Sequence, residues 1–103
     1  MLEKSFKRNI QKYRLLALSE GDAYRTAIKR LSTRAVRALC WFSFNLLYNG
    51  ALPLSTEDLQ LLATHKLVLL LLAAKKRSAQ SCRKLLTPDL IRDLLLVYDR
   101  IVS

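Results

Sequence analysis

The sequence has few residues that interrupt helices: it contains two glycines and two prolines in 103 residues. Residues branched at Cβ are also scarce, whereas leucine, alanine, lysine and arginine are abundant. Because the abundant residues are good helix formers and poor strand formers, this composition disfavours a β-sheet. We therefore expect an all-α fold.

Cysteine and histidine, the usual ligands and nucleophiles, are nearly absent. Cys40 and Cys82 belong to no Cys-x-x-Cys motif, so neither a disulfide framework nor a zinc site is expected, and Cys40 falls in an apolar helical pattern typical of a core residue. The single histidine, His65, has no cysteine or carboxylate at ligand spacing, which favours a structural or surface role. No nucleophile motif or glycine-rich phosphate loop is present. The sequence thus predicts a non-enzymatic protein without a cofactor or metal.

The sequence predicts neither a membrane-spanning segment nor a signal peptide. Its longest apolar run, Leu67 to Ala74, is far shorter than the roughly 20 residues that a spanning helix needs. The N-terminus is charged and has no apolar stretch of the kind that signal peptides carry. We expect an intracellular protein in a reducing environment.

Acidic residues are scarce relative to basic ones, 8 against 18, which gives a net charge of +10. The excess is uneven, because residues 1–38 and 75–103 are strongly basic whereas residues 39–74 are apolar and nearly neutral. A charge of this size favours an anionic partner, foremost nucleic acid. A charge that only keeps the protein soluble, or one that serves inside a larger complex, is the alternative.

Apolar periodicity and start signals together predict the helices. The start signals are Ser19 with Asp22, Ser32 or Thr33, Ser55 with Asp58, Ser78, and Thr87 followed by Pro88. They place helices at about residues 2–18, 20–31, 33–48, 56–75, 78–86 and 88–102. We expect residues 1–103 to form one compact bundle of five to six helices.

The predicted helix over about residues 56–75 organises this bundle. Asn49, Gly50 and Pro53 end the helix before it, and Ser55 caps its start. From Leu67 it is apolar on every side, which is typical of a helix with others packed around it. The sequence therefore predicts this helix at the centre of the fold.

Nucleic-acid binding has a charge pattern but no sequence-reading motif, so the candidate site consists of lysines and arginines that neutralise phosphates. Such contacts depend on salt and little on base sequence. On solvated helix faces the same residues would serve solubility, and those at 75–77 would complement a helix dipole. The candidates are Lys4, Lys7, Arg8, Lys12, Arg14, Arg25, Lys29, Arg30, Arg34, Arg37, Lys75, Lys76, Arg77, Arg83 and Lys84.

Two other kinds of partner remain open. The leucines at 69–72 point around the whole predicted central helix, so some of them are candidates for a subunit interface in a homo-oligomer or a larger assembly. The apolar face Leu2, Phe6 and Ile10 on a basic helix would suit an anionic membrane surface, an alternative we rank lower.

A residue pattern from Tyr13 to Leu86, about three-quarters of the chain, resembles that of a known family. The matching residues are Asn45, Leu47, Gly50, Pro53 and Leu54, then Leu62, His65 and Lys66, then Lys75, Lys76, Arg83, Lys84 and Leu85. The pattern is similar to small basic proteins of Polinton-like (adintovirus-like) elements and related animal DNA viruses.

The chain departs from this pattern in three places. Asn49 precedes Gly50 instead of following it, the segment after His65 is rich in leucine instead of basic, and a helix at Pro88 replaces a glycine-rich end. The resemblance implies a viral or mobile-element origin, a non-enzymatic accessory or virion role, and a location in the host nucleus or the virion. Together with the charge, it leads us to expect condensation or packaging of DNA.

Overall fold

Seven α-helices make up nearly all of the chain that the structure describes. This structure is a computed structural model, and it describes residues 2–48, 55–63, 65 and 78–102. The helices are α1 (Leu2–Arg8), α2 (Ile10–Leu18), α3 (Gly21–Arg30), α4 (Thr33–Tyr48), α5 (Thr56–Ala63), α6 (Ala79–Leu85) and α7 (Pro88–Val102). These described residues contain no β-strand. The all-α prediction is confirmed, with more helices than the five to six expected.

The predicted first helix is divided in two at Asn9. The side-chain amide of Asn9 donates a hydrogen bond to the carbonyl oxygen of Ser5 at 2.7 Å, and the Asn9 backbone N–H is shared between Ser5 and Phe6. A side chain that competes for a helical carbonyl in this way disturbs the helix locally. The prediction of one continuous helix over residues 2–18 is therefore wrong at Asn9.

Four of the predicted N-caps are confirmed. Ser32, Ser55, Ser78 and Thr87 each accept a hydrogen bond from the backbone N–H three residues later, at 3.1–3.2 Å. Ser19 differs, because its hydroxyl donates to the carbonyl oxygen of Leu16 at 2.7 Å and so closes the end of α2. The next helix begins at Gly21, whose φ of +55° is a conformation that glycine adopts without steric cost.

The helix predicted over about residues 56–75 is interrupted before its expected end. The helix ends at Ala63, and His65 lies in a bend, with its backbone N–H bonded to the Leu62 carbonyl in a tighter, three-residue turn. A contact with the last helix holds this bend, because His65 Nε2 lies 2.6 Å from Asp93 Oδ2. The prediction of a continuous helix to residue 75 is wrong at His65, and the leucine-rich run from 67 lies outside the described residues.

Within the described residues, α4 is the most deeply buried helix. Every residue from Ala35 to Phe42 except Arg37 and Trp41 is buried. Phe42 stacks on Phe6 of α1 with ring centroids 4.1 Å apart, and Tyr98 of α7 meets both rings edge-on. Aromatic contacts of this kind explain why α1 and α7 close over α4.

The remaining helices pack around this core in pairs. Helix α2 lies against α7, α5 also lies against α7, and α6 lies against α4. The radius of gyration is 12.6 Å, close to the value of about 13 Å for a folded domain of this length. Helix α3 joins the others mainly through its buried residues Tyr24 and Ile28, which leaves its two flanks open.

Candidate nucleic-acid interface

Helix α3 separates an apolar side from a basic side. Tyr24 and Ile28 are buried on one side, whereas Arg25 and Lys29, each one position later, are exposed. Residues four apart lie one turn from each other on the same helix face. The spacing of Arg25 and Lys29 therefore aligns two cations along one edge of α3.

A cleft of about 670 Å³ lies between this edge of α3 and helix α6. Its rim carries four cations, Arg25 and Lys29 from α3 and Arg83 and Lys84 from α6. Its floor is apolar, formed mainly by Tyr24, Ile28, Leu86 and Pro88. We call this cleft the basic groove. None of the described residues that line it is acidic, so the part of its rim that the structure describes has a single sign of charge.

Arg83 holds the two walls of the basic groove together. Its guanidinium donates hydrogen bonds to the carbonyl oxygens of Ile28 at 3.3 Å and Leu31 at 2.8 Å. These carbonyls belong to the last turn of α3 and its C-cap, where no intrahelical donor is available. Arg83 thus caps α3 from α6, a structural role in addition to its charge.

The floor of the basic groove is fixed by a second long-range bond. The hydroxyl of Tyr24 donates to the carbonyl oxygen of Leu86 at 2.6 Å, and the bond is buried. Burial raises the pKa of Tyr24 to about 12, so the hydroxyl remains a donor at neutral pH. The position of α6 relative to α3, and hence the spacing of the four cations, is set by Tyr24 and Arg83 together.

The other predicted binding residues that the structure describes do not line this groove. Lys4, Lys7, Arg8, Lys12, Arg30 and Arg34 are exposed on α1 to α4, and Lys75, Lys76 and Arg77 lie outside the described residues. Arg14 makes a bidentate salt bridge to Asp99 of α7, with N–O distances of 3.1 and 2.9 Å. This bridge links α2 to α7, so the guanidinium of Arg14 already has an anionic partner within the chain.

Arg37 lies near two thiols, those of Cys40 and Cys82, whose proximity the sequence does not predict. Cys40 of α4 and Cys82 of α6 are both free and fully buried, and each thiol affects the pKa of the other. Contact with Cys82, and burial, raise the pKa of Cys40. Contact with Cys40 lowers the pKa of Cys82, and the charges of Arg37 and Arg83 act in the same direction. No local spacing signals this pair, because α4 and α6 come together only in the fold.

Several acidic residues are also paired with bases that lie far away in sequence. Asp58 of α5 is bonded to Arg100 of α7, and Asp93 of α7 faces His65. Asp58 was predicted as part of a capping box, yet its carboxylate is also bound to α7. These acids tie α5 and the following bend to α7, and none of them lines the basic groove.

Phe6, on the apolar face considered for a membrane surface, is used inside the fold. Phe6 is 2% exposed and lies in the aromatic cluster with Phe42. A side chain that is packed in this way is not available to a lipid surface unless the cluster opens. In the part of the chain that the structure describes, no helix has both the length and the hydropathy to span a bilayer.

In comparisons with protein families, with curated proteins and with solved structures, the chain matches none of them. The turn at residues 49–54, which carries part of the resemblance to small viral and mobile-element proteins, lies outside the described residues. Among the described residues, no group of three or more His, Cys, Asp or Glu side chains is arranged to hold a metal ion. The candidate site therefore rests on the basic groove alone.

Proposed function

We propose that this protein binds nucleic acid without catalysis, through phosphate contacts along the basic groove. The observation that carries the proposal is the meeting of Arg25 and Lys29 with Arg83 and Lys84 around one cleft, among whose described lining residues none is acidic. The two pairs come from segments more than 50 residues apart in the chain, joined by the bond from Arg83 to Leu31 at a separation of 52. A same-sign rim of this kind attracts phosphates.

The dimensions of α3 suit a nucleic-acid backbone. A helix of 10 residues is about 15 Å long, and one strand of a duplex carries a phosphate every 3.4 Å or so along the axis. Since the strand winds around the axis and its neighbouring phosphates lie farther apart than this rise, the groove is long enough to follow a few phosphates of one strand. Lysine and arginine contacts to phosphates carry no base preference, so binding is expected to be independent of sequence.

The biological setting is part of the proposal. The net charge of +10 and the resemblance to small basic proteins of Polinton-like elements and animal DNA viruses support DNA as the nucleic acid. Condensation or packaging of a viral or mobile-element genome is the role that fits a small, basic, sequence-independent binder. The corresponding locations are the host nucleus and the virion.

The test is the affinity of the purified protein for a short labelled duplex over a salt series, measured by fluorescence anisotropy. We expect micromolar or tighter binding near physiological salt, and a linear fall of log K with log salt whose slope is about 0.9 per phosphate contacted. Duplexes of unrelated sequence should bind equally well. Absence of binding at low salt would refute the proposal.

A second candidate function is that of an assembly module. The leucines at 69–72, which the sequence offers as a subunit interface, lie outside the described residues. A different observation favours it, because Leu15 and Leu18 on α2 are 69% and 80% exposed. Light scattering at low and high salt distinguishes the two functions, since a leucine-mediated oligomer persists in high salt whereas a charged monomer remains a monomer.

A further inference from the structure

A second groove lies on the opposite flank of α3, between it and α2. It has a volume of about 610 Å³. It is lined by Leu15 of α2 and by Ala23, Thr26 and Ala27 of α3, with Lys12 and Arg30 on its rim. We call it the apolar groove. The side chains along its α3 wall are small, so another chain can approach the α3 backbone closely.

Leu15 is the outstanding feature of this groove. Its side chain is 69% exposed, and Leu18, one turn further along α2, is 80% exposed. Leu16, beside them, is 2% exposed and belongs to the core, so α2 presents leucine on two faces. Leu15 and Leu18 lie one turn apart beside an apolar groove, and a contiguous apolar patch of this kind marks a docking surface.

The charges of the groove select the kind of partner. Helices α2 and α3 are joined by a short turn at 19–20, so Lys12 and Arg30 both lie toward the open end, away from that turn. The acid that lines the groove, Asp22, lies near the turn and is within 3.4 Å of Arg25. The open end is therefore positive. A second copy of this chain, with a net charge of +10, meets like charge there, so an acidic partner fits this groove better than a homo-oligomer does.

We propose that the apolar groove binds a short amphipathic helix of an acidic partner protein. Helix α3 sets the length of this helix at about three turns, roughly 11 to 14 residues with its flanks. Its apolar residues, at positions i, i+3, i+4 and i+7, lie on Leu15 and between the small residues of α3. Its glutamates or aspartates meet Lys12 and Arg30. Because the basic groove is on the other flank of α3, a partner helix and a nucleic acid bind at the same time.

The probes are three synthetic peptides of the length given above. The first has a leucine stripe with glutamate flanks, the second has the same composition in an order that destroys the stripe, and the third has lysine in place of glutamate. Binding is measured by fluorescence anisotropy, and the site is located from amide shifts in NMR spectra. We expect the first peptide to bind and to shift Ala23 and Ala27 but not Gln80 or Lys84.

Variants of exposed residues test the two parts of the proposal separately. Leu15→Ser should weaken the first peptide about tenfold, whereas Leu96→Ser, which removes a 44% exposed leucine from α7, should leave it unchanged. Lys12→Glu should weaken the first peptide and strengthen the third. Lys4→Glu makes the same change in net charge on α1 and should do neither, which separates the groove from the charge of the whole protein.

Several outcomes overturn the proposal. Equal binding of the first two peptides would show attraction by charge alone, and full affinity in Leu15→Ser would place the peptide elsewhere. Self-association of the protein that Leu15→Ser abolishes would make the occupant a second copy, and displacement of the peptide by duplex DNA would place it in the basic groove. The proposal does not depend on nucleic-acid binding, because its variants lie outside the basic groove.

Discussion

At the scale of single residues, two tyrosine hydroxyls connect helices that are distant in sequence. Tyr13 donates to the carbonyl oxygen of Ala35 at 2.7 Å, and Tyr24 donates to that of Leu86 at 2.6 Å. Burial raises the pKa of both phenols, that of Tyr24 to about 12. The Tyr24 hydroxyl satisfies a buried carbonyl at the end of α6 that would otherwise have lost its hydrogen bond to water, whereas the Tyr13 hydroxyl adds a donor to a carbonyl inside α4.

We expect Tyr24→Phe to lower the free energy of unfolding by about 1–3 kcal/mol, because it leaves the buried Leu86 carbonyl without its donor. Urea unfolding followed by circular dichroism measures this change. Thr26→Ala, an exposed substitution on the same helix, is the control and should change stability by less than about 0.5 kcal/mol. A Tyr24→Phe variant as stable as that control would show that the bond contributes nothing.

The burial of the Tyr24 hydroxyl predicts a dependence of stability on alkaline pH. The pKa of Tyr24 is 10.0 when unperturbed and about 12 in the folded protein, so the folded state holds this proton more tightly. The corresponding stability is fully present below pH 10 and is lost as the pH rises through about 12. Urea unfolding between pH 8 and pH 12 should show this loss, and the loss should be smaller in Tyr24→Phe. Parallel pH profiles of the two proteins would contradict the assignment.

At the scale of helices, the start signals were predictable from local sequence, and the internal interruptions were not. Ser32, Ser55, Ser78 and Thr87 cap as their spacing predicts, because an N-cap needs only the three residues after it. Asn9, Ser19 and His65 each had a rival bond, to Ser5, Leu16 and Asp93 respectively. Apolar periodicity does not report competing hydrogen bonds. It therefore predicts the helices over residues 2–18 and 56–75 as continuous, although they are interrupted at Asn9 and His65.

Capping gives a direct contrast between a confirmed and a rejected start signal. Thr87→Ala should cost about 0.5–2 kcal/mol of stability, because the Leu90 N–H loses its acceptor at the start of α7. Ser19→Ala should cost less than about 0.5 kcal/mol, because the Ser19 hydroxyl caps no helix start and the site is partly exposed. Thermal unfolding of the two variants measures both losses of stability. Equal losses in Thr87→Ala and Ser19→Ala would indicate that Ser19 acts as an N-cap.

Neighbouring cations on α6 are expected to have different roles. Arg83→Gln should lower the free energy of unfolding by about 1.5–3 kcal/mol, because the carbonyls of Ile28 and Leu31 lose a charged donor. Lys84→Gln, at an exposed position, should leave stability unchanged and weaken duplex binding. Unfolding and anisotropy measurements on both variants test this separation. An Arg83→Gln variant as stable as the unaltered protein would show that Arg83 does not stabilise the end of α3.

At the scale of the whole molecule, the sequence contains the cations of the basic groove but does not indicate that they meet. The charge pattern predicts Arg25, Lys29, Arg83 and Lys84 only as members of a larger basic set. Their meeting around one cleft depends on the packing of α3 beside α6, which rests on Tyr24 and Arg83. Long-range bonds of this kind leave no periodic trace in the sequence. The same reason hid the contact between the thiols of Cys40 and Cys82.

The most direct test of the account compares two triple variants that remove the same charge. The first, Arg25→Gln with Lys29→Gln and Lys84→Gln, empties three rim positions of the basic groove. The second, Lys4→Gln with Arg8→Gln and Arg34→Gln, removes three exposed cations elsewhere. Duplex affinity over a salt series is measured for both and for the unaltered protein. We predict that the salt slope falls by roughly 2–3 in the groove variant, about 0.9 per lost phosphate contact, and by less than about 1 in the other. Equal losses in both variants would contradict binding through the groove and leave only the net charge.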